Sequence, residues 1–192
     1  MNSTKLIQTL ENIVEEDCKK KSNFFGYRAW ETHIKIVIKL SKQLAEVLGA
    51  DKEIVIIAAI LHDYANILDK DNEPKHHIIG SNIARELLKS YNYDEKKTDL
   101  VCKAIYSHRG STNIERLSNE EICLASADAM ANIDQIPSLL HMVYVNKGMS
   151  VSEGAKIVIA KLNRAWNKLC PEAKEMIRDK YEAAKVLLDE YL

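Results

Sequence analysis

The sequence predicts an all-α protein that folds as a single domain. Only six glycines and three prolines interrupt its 192 residues, and apolar residues recur at helical spacing along most of the chain. No segment shows the alternation of polar and apolar residues that marks a half-buried strand, and no internal repeat is visible. A chain of this length can bury a sizeable core, so we expect one domain over residues 1–192.

Composition and charge argue against several classes of function. The hydrophobic fraction of 46% and the charged fraction of 29% are those of a globular protein. A formal net charge of −1 carries no signature of nucleic-acid binding or of an anionic membrane surface. No apolar run approaches the roughly 20 residues that span a bilayer, and the N-terminus does not resemble a signal peptide. The four cysteines form no C-x-x-C pair, which fits a reducing cytoplasm.

The first helix with strong boundary signals covers residues 28–48, where apolar side chains recur on one face. Gly49 follows it as a plausible C-cap. Asp51 can then cap the N-terminus of a second and more apolar helix, which we expect to run to about Leu68.

The remaining elements follow from turn residues and caps. We expect a polar loop at 69–75, helices at 76–90 and 94–107, and a loop at 108–118. Ser118 and Glu121 form the S-x-x-E pattern of a capping box before the next helix. The segments after Pro137 and Pro171 are amphipathic and predict further helices.

Several polar residues lie where these helices should be apolar. His62 and Asp63 interrupt the most apolar segment of the chain. His33 lies on the apolar stripe of its helix, and Asp128 lies among small and apolar neighbours. The remaining candidates lie at predicted helix ends and are His76, His77 and His108. Because an unpaired buried charge is costly, these residues require partners or a metal.

Each of these residues has an ordinary structural explanation when it is considered alone. A core histidine is usually hydrogen-bonded to its surroundings, and an aspartate within a helix is more often a cap or a salt-bridge partner than a ligand. Histidines beside a polar loop are commonly exposed. One shared cation explains the whole set, because it offsets the desolvation of the carboxylates and favours neutral imidazoles.

The order of these residues resembles the HD superfamily of metal-dependent phosphohydrolases. The superfamily has the signature H…HD…D on a helical core, and here His33, the His62-Asp63 pair in "LHDYA" and Asp128 follow that order. The resemblance covers approximately residues 30–134. It implies an HD-type helical bundle with a core at about 28–137, on which an N-terminal helix and C-terminal helices pack.

Two further segments resemble the branches of this family that hold two metal ions. "HHIIGSNIARELL" is similar to an H-x-x-x-G/S-A segment, and the spacing to Gly80 aligns His76 with the family ligand, not His77. "AIYSHRG" is similar to an AI-x-x-H segment, which aligns His108. The resemblance therefore adds these two histidines to the ligand set.

The resemblance implies one or two divalent metal ions and assigns catalytic roles to His62 and Asp63. The ligands of the first ion would be His33, His62, Asp63 and Asp128. His76 and His108 would complete a second site, with Asp63 bridging the two ions. Nitrogen and oxygen donors suit Mn²⁺, Fe²⁺, Ni²⁺, Mg²⁺ or Zn²⁺, and this set does not distinguish among them.

The residues that would bind substrate depart from the family pattern. Many members with two metals continue as HD-x-x-K, whereas Asn66 occupies that position here. Arg109 follows His108 directly and is either a phosphate-binding guanidinium or a solvated loop residue. We take Asn66 and Arg109 as substrate-binding candidates. Three more lysines are more typical of surface charges, namely Lys70, Lys75 and Lys103.

The leading hypothesis is a hydrolase that uses a metal-activated water to cleave a phosphomonoester or phosphodiester. The expected partner is a small phosphorylated substrate, most plausibly a nucleotide. Two alternatives are a di-iron oxygenase of the same fold and a non-catalytic metal-binding sensor or scaffold. No serine or cysteine lies in a nucleophile motif, so covalent catalysis is disfavoured. The sequence leaves the substrate, the metal and the oligomeric state open.

Overall fold

The computed structural model describes residues 2–109 and 114–191, and its regular elements within these ranges are helical. The α-helices are α1 (Ser3–Lys19), α2 (Lys35–Leu48), α3 (Lys52–Leu61), α4 (Tyr64–Leu68), α5 (His76–Ser90), α6 (Glu95–Ser107), α7 (Asn119–Asp134), α8 (Ile136–His141), α9 (Val151–Lys168) and α10 (Pro171–Leu188). Shorter elements are π-helical at Trp30–Ile34 and Met142–Asn146 and 3₁₀-helical at Lys70–Lys75 and Asp189–Tyr191. The predicted all-α, single-domain fold is confirmed.

The predicted helix boundaries are confirmed where a capping residue marks them. Gly49 ends α2 in the left-handed conformation, with φ of 66°. The Asp51 carboxylate accepts hydrogen bonds from the backbone N–H groups of Glu53 (2.9 Å) and Ile54 (3.3 Å). The Ser118 hydroxyl accepts from the N–H of Glu121 at 3.3 Å. These side chains satisfy donors that the first helical turn leaves unpaired.

The prediction of one helix from 51 to 68 was wrong. The chain turns at His62 and Asp63, between α3 and α4, and Asp63 has φ of −106° and ψ of 8°. The His62 ring bonds the carbonyl of Ala59, an acceptor that a continuing helix would use for the N–H of residue 63. The turn therefore coincides with the two residues that carry the predicted chemistry.

Two other segments differ in detail from the prediction. The predicted helix at 28–48 contains a π-helical turn at Trp30–Ile34, which includes His33. π-Helical turns are rare in proteins, and many of those that occur lie at functional sites. The predicted polar loop at 69–75 is largely a 3₁₀ helix, Lys70–Lys75. It leads directly into α5, which begins at His76.

The packing of the helices brings the candidate residues to the centre of the molecule. α2 packs on α3 and α7, and α6 packs on α3, α5 and α7. α1 lies against α3 and α4, while α9 and α10 lie against α7. Fully buried side chains where the central helices meet include Leu44, Ile57, Ile105, Leu124 and Met130. The site thus forms on a rigid apolar scaffold.

The hydropathy of the helices bears on membrane association. Among the residues that the structure describes, none of the helices combines the length and the apolar character needed to cross a bilayer.

Candidate metal centre

The six predicted ligands converge at one cavity of about 260 Å³. They come from five separate elements: the π-helical turn, the turn between α3 and α4, the start of α5, the end of α6, and α7. Five of them line the cavity, namely His33, Asp63, His76, His108 and Asp128. His62 lies beneath them and is fully buried.

The first cluster consists of His33, His62 and Asp128. His33 Nε2 lies 3.1 Å from His62 Nε2 and 3.5 Å from Asp128 Oδ1. Asp63 Oδ2 closes this group, at 3.3 Å from His33 Nε2 and 3.4 Å from His62 Nε2. Four potential ligand atoms therefore face one point.

The second cluster consists of His76, His108 and Asp63. The two Nε2 atoms of its histidines lie 3.2 Å apart. Asp63 Oδ1 lies 3.6 Å from His76 Nε2 and 4.0 Å from His108 Nε2. Since Oδ2 of the same carboxylate faces the first cluster, Asp63 presents one oxygen to each group.

Backbone hydrogen bonds determine which ring nitrogen faces the cavity. The Nδ1 atoms of His62, His76 and His108 each contact the carbonyl three residues earlier in the chain, at Ala59 (2.7 Å), Glu73 (2.8 Å) and Ile105 (2.5 Å). A carbonyl can only accept, so each Nδ1 carries the proton. In the neutral ring, Nε2 is then left with a free lone pair. This is the usual arrangement of histidine ligands to metals.

This arrangement fits divalent metal ions. His76 and His108 direct lone pairs at each other across 3.2 Å, and two neutral rings in this tautomer cannot form a hydrogen bond. Two donors that are each about 2.1 Å from one ion lie about 3.0 to 3.4 Å apart at octahedral or tetrahedral angles. The observed separations match that spacing, so a shared cation accounts for a contact that would otherwise be repulsive.

The electrostatics of the site favour ionised carboxylates and a neutral His108. Burial opposes ionisation, yet the imidazoles of His62 and His33 hold the pKa of Asp63 well below its usual range. Lys168 and His33 likewise lower the pKa of Asp128 against the effect of burial. Burial, followed by the nearby His62, lowers the pKa of His108 to about 3. Ionised carboxylates and a neutral His108 are the states that metal ligation requires. Against the effect of burial, Asp63 raises the pKa of His62, so a metal ion that binds His62 must displace a proton.

Sequence reasoning missed two lysines of α9. Lys168 Nζ lies 2.7 Å from Asp128 Oδ2, and its side chain is only 9% exposed. This ion pair leaves Asp128 Oδ1 directed at His33. Lys161 lies two turns earlier and lines the cavity. A signal was present, because both lysines fall on the stripe that contains the buried Val158 and Ala165.

The two predicted substrate-binding residues both line the cavity. Asn66 Nδ2 donates to Asp63 Oδ1 at 3.2 Å. The Arg109 guanidinium donates to the carbonyls of Glu73 (3.1 Å) and Pro74, which joins the end of α6 to the 3₁₀ helix before α5. Their roles toward substrate stay predictions.

His76 and His77 are adjacent residues of α5, so their side chains point about 100° apart around the helix axis. His76 joins the second cluster, whereas the His77 ring lies against Tyr106, with centroids 5.7 Å apart. The lysines expected at the surface are all exposed and lie outside the cavity lining, namely Lys70, Lys75 and Lys103.

Comparison with known proteins places this site in a family. A family model described as the HD domain matches residues 30–133, a range that includes all six candidate ligands. The chain belongs to the HD domain family. This is the superfamily of metal-dependent phosphohydrolases that the sequence resembles.

Solved structures with the same fold cover nearly the whole chain. The Lin1889 protein of Listeria innocua has a TM-score of 0.74 at 18% identity, over 99% of this chain and 95% of that one. A predicted HD superfamily hydrolase from an uncultured Thermotogales bacterium has a TM-score of 0.62 at 22% identity, over 100% of this chain and 97% of that one. At these identities the likeness establishes the fold of this HD domain protein.

Curated relatives align over shorter segments. Ribonuclease Y of Helicobacter acinonychis is 31% identical over 103 residues, which are 54% of this chain and 18% of that protein. The chain spans less than half of the length of the first curated relatives that it matches.

Proposed function

We propose that this protein hydrolyses a phosphomonoester or phosphodiester, most plausibly in a nucleotide, with two divalent metal ions. The observation that carries the proposal is the shared carboxylate of Asp63, which presents one oxygen to each of two histidine-containing clusters. A carboxylate shared in this way would let Asp63 contribute a ligand to each of two metal ions.

Hydrogen bonds from several parts of the chain hold the candidate ligands in position. Backbone carbonyls hold three imidazoles with Nε2 toward the cavity. Lys168 orients Asp128, and Asn66 donates to the bridging Asp63. Divalent ions, when bound, lower the pKa of a water molecule and stabilise charge on the transferring phosphoryl group.

The size of the cavity and the curated relatives support a phosphoester substrate. A cavity of about 260 Å³ has room for a phosphoryl group beside the ligands, whereas sites for whole drug-sized ligands usually occupy roughly 300–1,000 Å³. A nucleoside would therefore extend toward solvent. The alignment with ribonuclease Y supports a phosphoester as the bond that is cleaved.

The test begins with the metal content of the purified protein. The protein is then stripped with a chelator and reloaded separately with Mn²⁺, Ni²⁺ and Mg²⁺. Each form is assayed on a panel of nucleoside mono-, di- and triphosphates, cyclic nucleotides and bis(p-nitrophenyl) phosphate. We expect metal-dependent release of phosphate or nitrophenol, and we expect His62→Ala to abolish it.

His77→Ala is the matched control, because it removes a buried imidazole outside both clusters. The control should retain turnover close to that of the wild type. Absence of turnover on every substrate with every metal would refute the hydrolase proposal. Oxygen consumption by an iron-loaded sample prepared without air would instead establish the oxygenase alternative.

A further inference from the structure

Lys161 lines the cavity of the candidate metal centre, but it forms none of the contacts that hold the candidate ligands in place. It lies on α9, its side chain is partly buried, and it lines the cavity together with His33, Asp63 and Asp128. Within residues 2–109 and 114–191, its ammonium group forms neither a hydrogen bond nor an ion pair. Burial lowers the pKa of Lys161, and the charges of Asp128 and Asp63 offset this only in part, so an ammonium at this position lacks a direct ion-pair partner.

The other cationic side chains near the cavity are already engaged. Lys168 is bound to Asp128, and Arg109 donates to the carbonyls of Glu73 and Pro74. Lys161 is two helical turns from Lys168 on the same face of α9. The chain therefore places two lysines toward one site and uses one of them to hold a carboxylate.

The nearby carboxylates are not available to pair with Lys161 once metal is bound. Both oxygens of Asp63 face imidazole clusters, and Asp128 divides its oxygens between His33 and Lys168. Divalent ions at the two clusters would add further positive charge around Lys161. Glu73, the third carboxylate in the cavity lining, lies 3.9 Å from the guanidinium of Arg109. The partner that we expect for Lys161 is therefore an anion that enters from solvent.

We propose that Lys161 binds a phosphoryl oxygen of the substrate, beside the two metal clusters. This inference rests on the proposed function and adds a substrate-binding residue to it. A lysine ammonium is a compact charge with three donors, and it suits phosphate oxygens that arrive in more than one orientation. Because Lys161 already lines the cavity, its ammonium can contact a phosphoryl group that binds there.

The test measures binding of inorganic phosphate to the full chain loaded with Mn²⁺, by isothermal titration calorimetry. Lys161→Met removes the charge but keeps an unbranched side chain, and Lys161→Arg keeps the charge. Lys156→Met is the matched control, because Lys156 is an exposed lysine of the same helix.

We expect Lys161→Met to raise the Kd for phosphate about tenfold or more, as for loss of a hydrogen bond to a charged group. The affinity for Mn²⁺ should not fall, since Lys161 forms no ion pair with the candidate ligands and its positive charge opposes a nearby cation. Lys161→Arg should retain most of the phosphate affinity, and Lys156→Met should match the wild type. In hydrolysis assays, kcat/KM should fall in Lys161→Met alone.

Three outcomes would overturn the inference, and they are distinguishable. Phosphate binding by Lys161→Met at wild-type affinity would refute the role of Lys161 and leave the hydrolase proposal intact. Loss of Mn²⁺ from Lys161→Met would show that the lysine serves the metal site. A wild-type protein that binds neither Mn²⁺ nor phosphate would refute the proposed function and this inference together.

Discussion

The two clusters of candidate ligands differ in the donor atoms that the protein supplies to each. The first has Asp128 in addition to Asp63, and Lys168 holds Asp128 in place from α9. The second has two histidines and depends on Asp63 for its carboxylate. Because the first cluster has four potential ligand atoms and the second has three, the first cluster should bind its ion more tightly.

The clusters also differ in the elements that carry them. Asp128 lies within α7, a long helix packed on α2 and α9. His76 and His108 instead lie at helix ends, the first at the start of α5 and the second just after α6. Positions inside a packed helix are held more firmly than helix ends. Two sites built from similar donors therefore need not bind metal equally tightly. The variants that follow test this difference in affinity.

The largest effect should follow Asp63→Ala. This residue presents an oxygen to each cluster, so its loss should remove both ions while the apolar helices around it still pack. Metal content by mass spectrometry should fall to near zero, with the helical circular dichroism spectrum retained. A variant that keeps either ion at wild-type occupancy would show that the bridge is not shared.

His76→Ala and His108→Ala should each remove one ion and leave the other. The first cluster retains its own ligands in both variants, whereas His77→Ala should change little because its ring packs on Tyr106. Metal stoichiometry and hydrolysis rate, measured side by side, check this. If His77→Ala is damaging and His76→Ala is silent, the assignment of the ligand is wrong. One ion in the wild type would make the site mononuclear.

Lys168→Met should act on the first cluster alone. Removing one partner of a buried ion pair typically costs about 3–5 kcal/mol, and the Lys168–Asp128 pair is largely buried. The loss should be largest in metal-free protein, because a bound cation gives Asp128 a second counter-charge. Urea unfolding with and without Mn²⁺ measures the difference, with Lys156→Met as the control. If Lys168→Met destabilises the protein equally with and without Mn²⁺, Lys168 does not act on the metal site.

The smallest effect should follow Asn66→Ala. Its amide donates to the Asp63 oxygen that faces the second cluster, and loss of such a supporting hydrogen bond commonly lowers metal affinity about tenfold. Titration with Mn²⁺ should show weaker binding of the second ion and little change in the first. A larger effect on the first ion would reverse the proposed inequality.

Helix boundaries could be predicted where a side chain near the boundary acts on its own backbone. Gly49 ends a helix through its left-handed conformation, and Asp51 and Ser118 accept N–H groups within three residues. The convergence of the candidate ligands could be predicted because polar side chains on apolar faces need a partner, and because their order resembles a known family. The capping residues act within a few positions, and the order of the histidines and aspartates can be read directly from the sequence. Neither signal depends on how the helices pack.

The break at His62–Asp63 could not be predicted, because the apolar pattern continues through it without a glycine or proline. The π-helical turn that carries His33 has no sequence signal either. Both distortions turn side chains toward partners that are distant in sequence. The positions of those partners depend on how the helices pack, which the local sequence does not show.

The sequence by itself determined that the protein is helical, where most helices start and stop, and which histidines and aspartates are candidate metal ligands. Only the tertiary structure decided how they divide into two clusters, with Asp63 between them. It also brought Lys168 to Asp128, 40 residues apart, and Lys161 to the same cavity. Helix propensity and capping act over a few residues, whereas these ion pairs depend on which helix faces pack together.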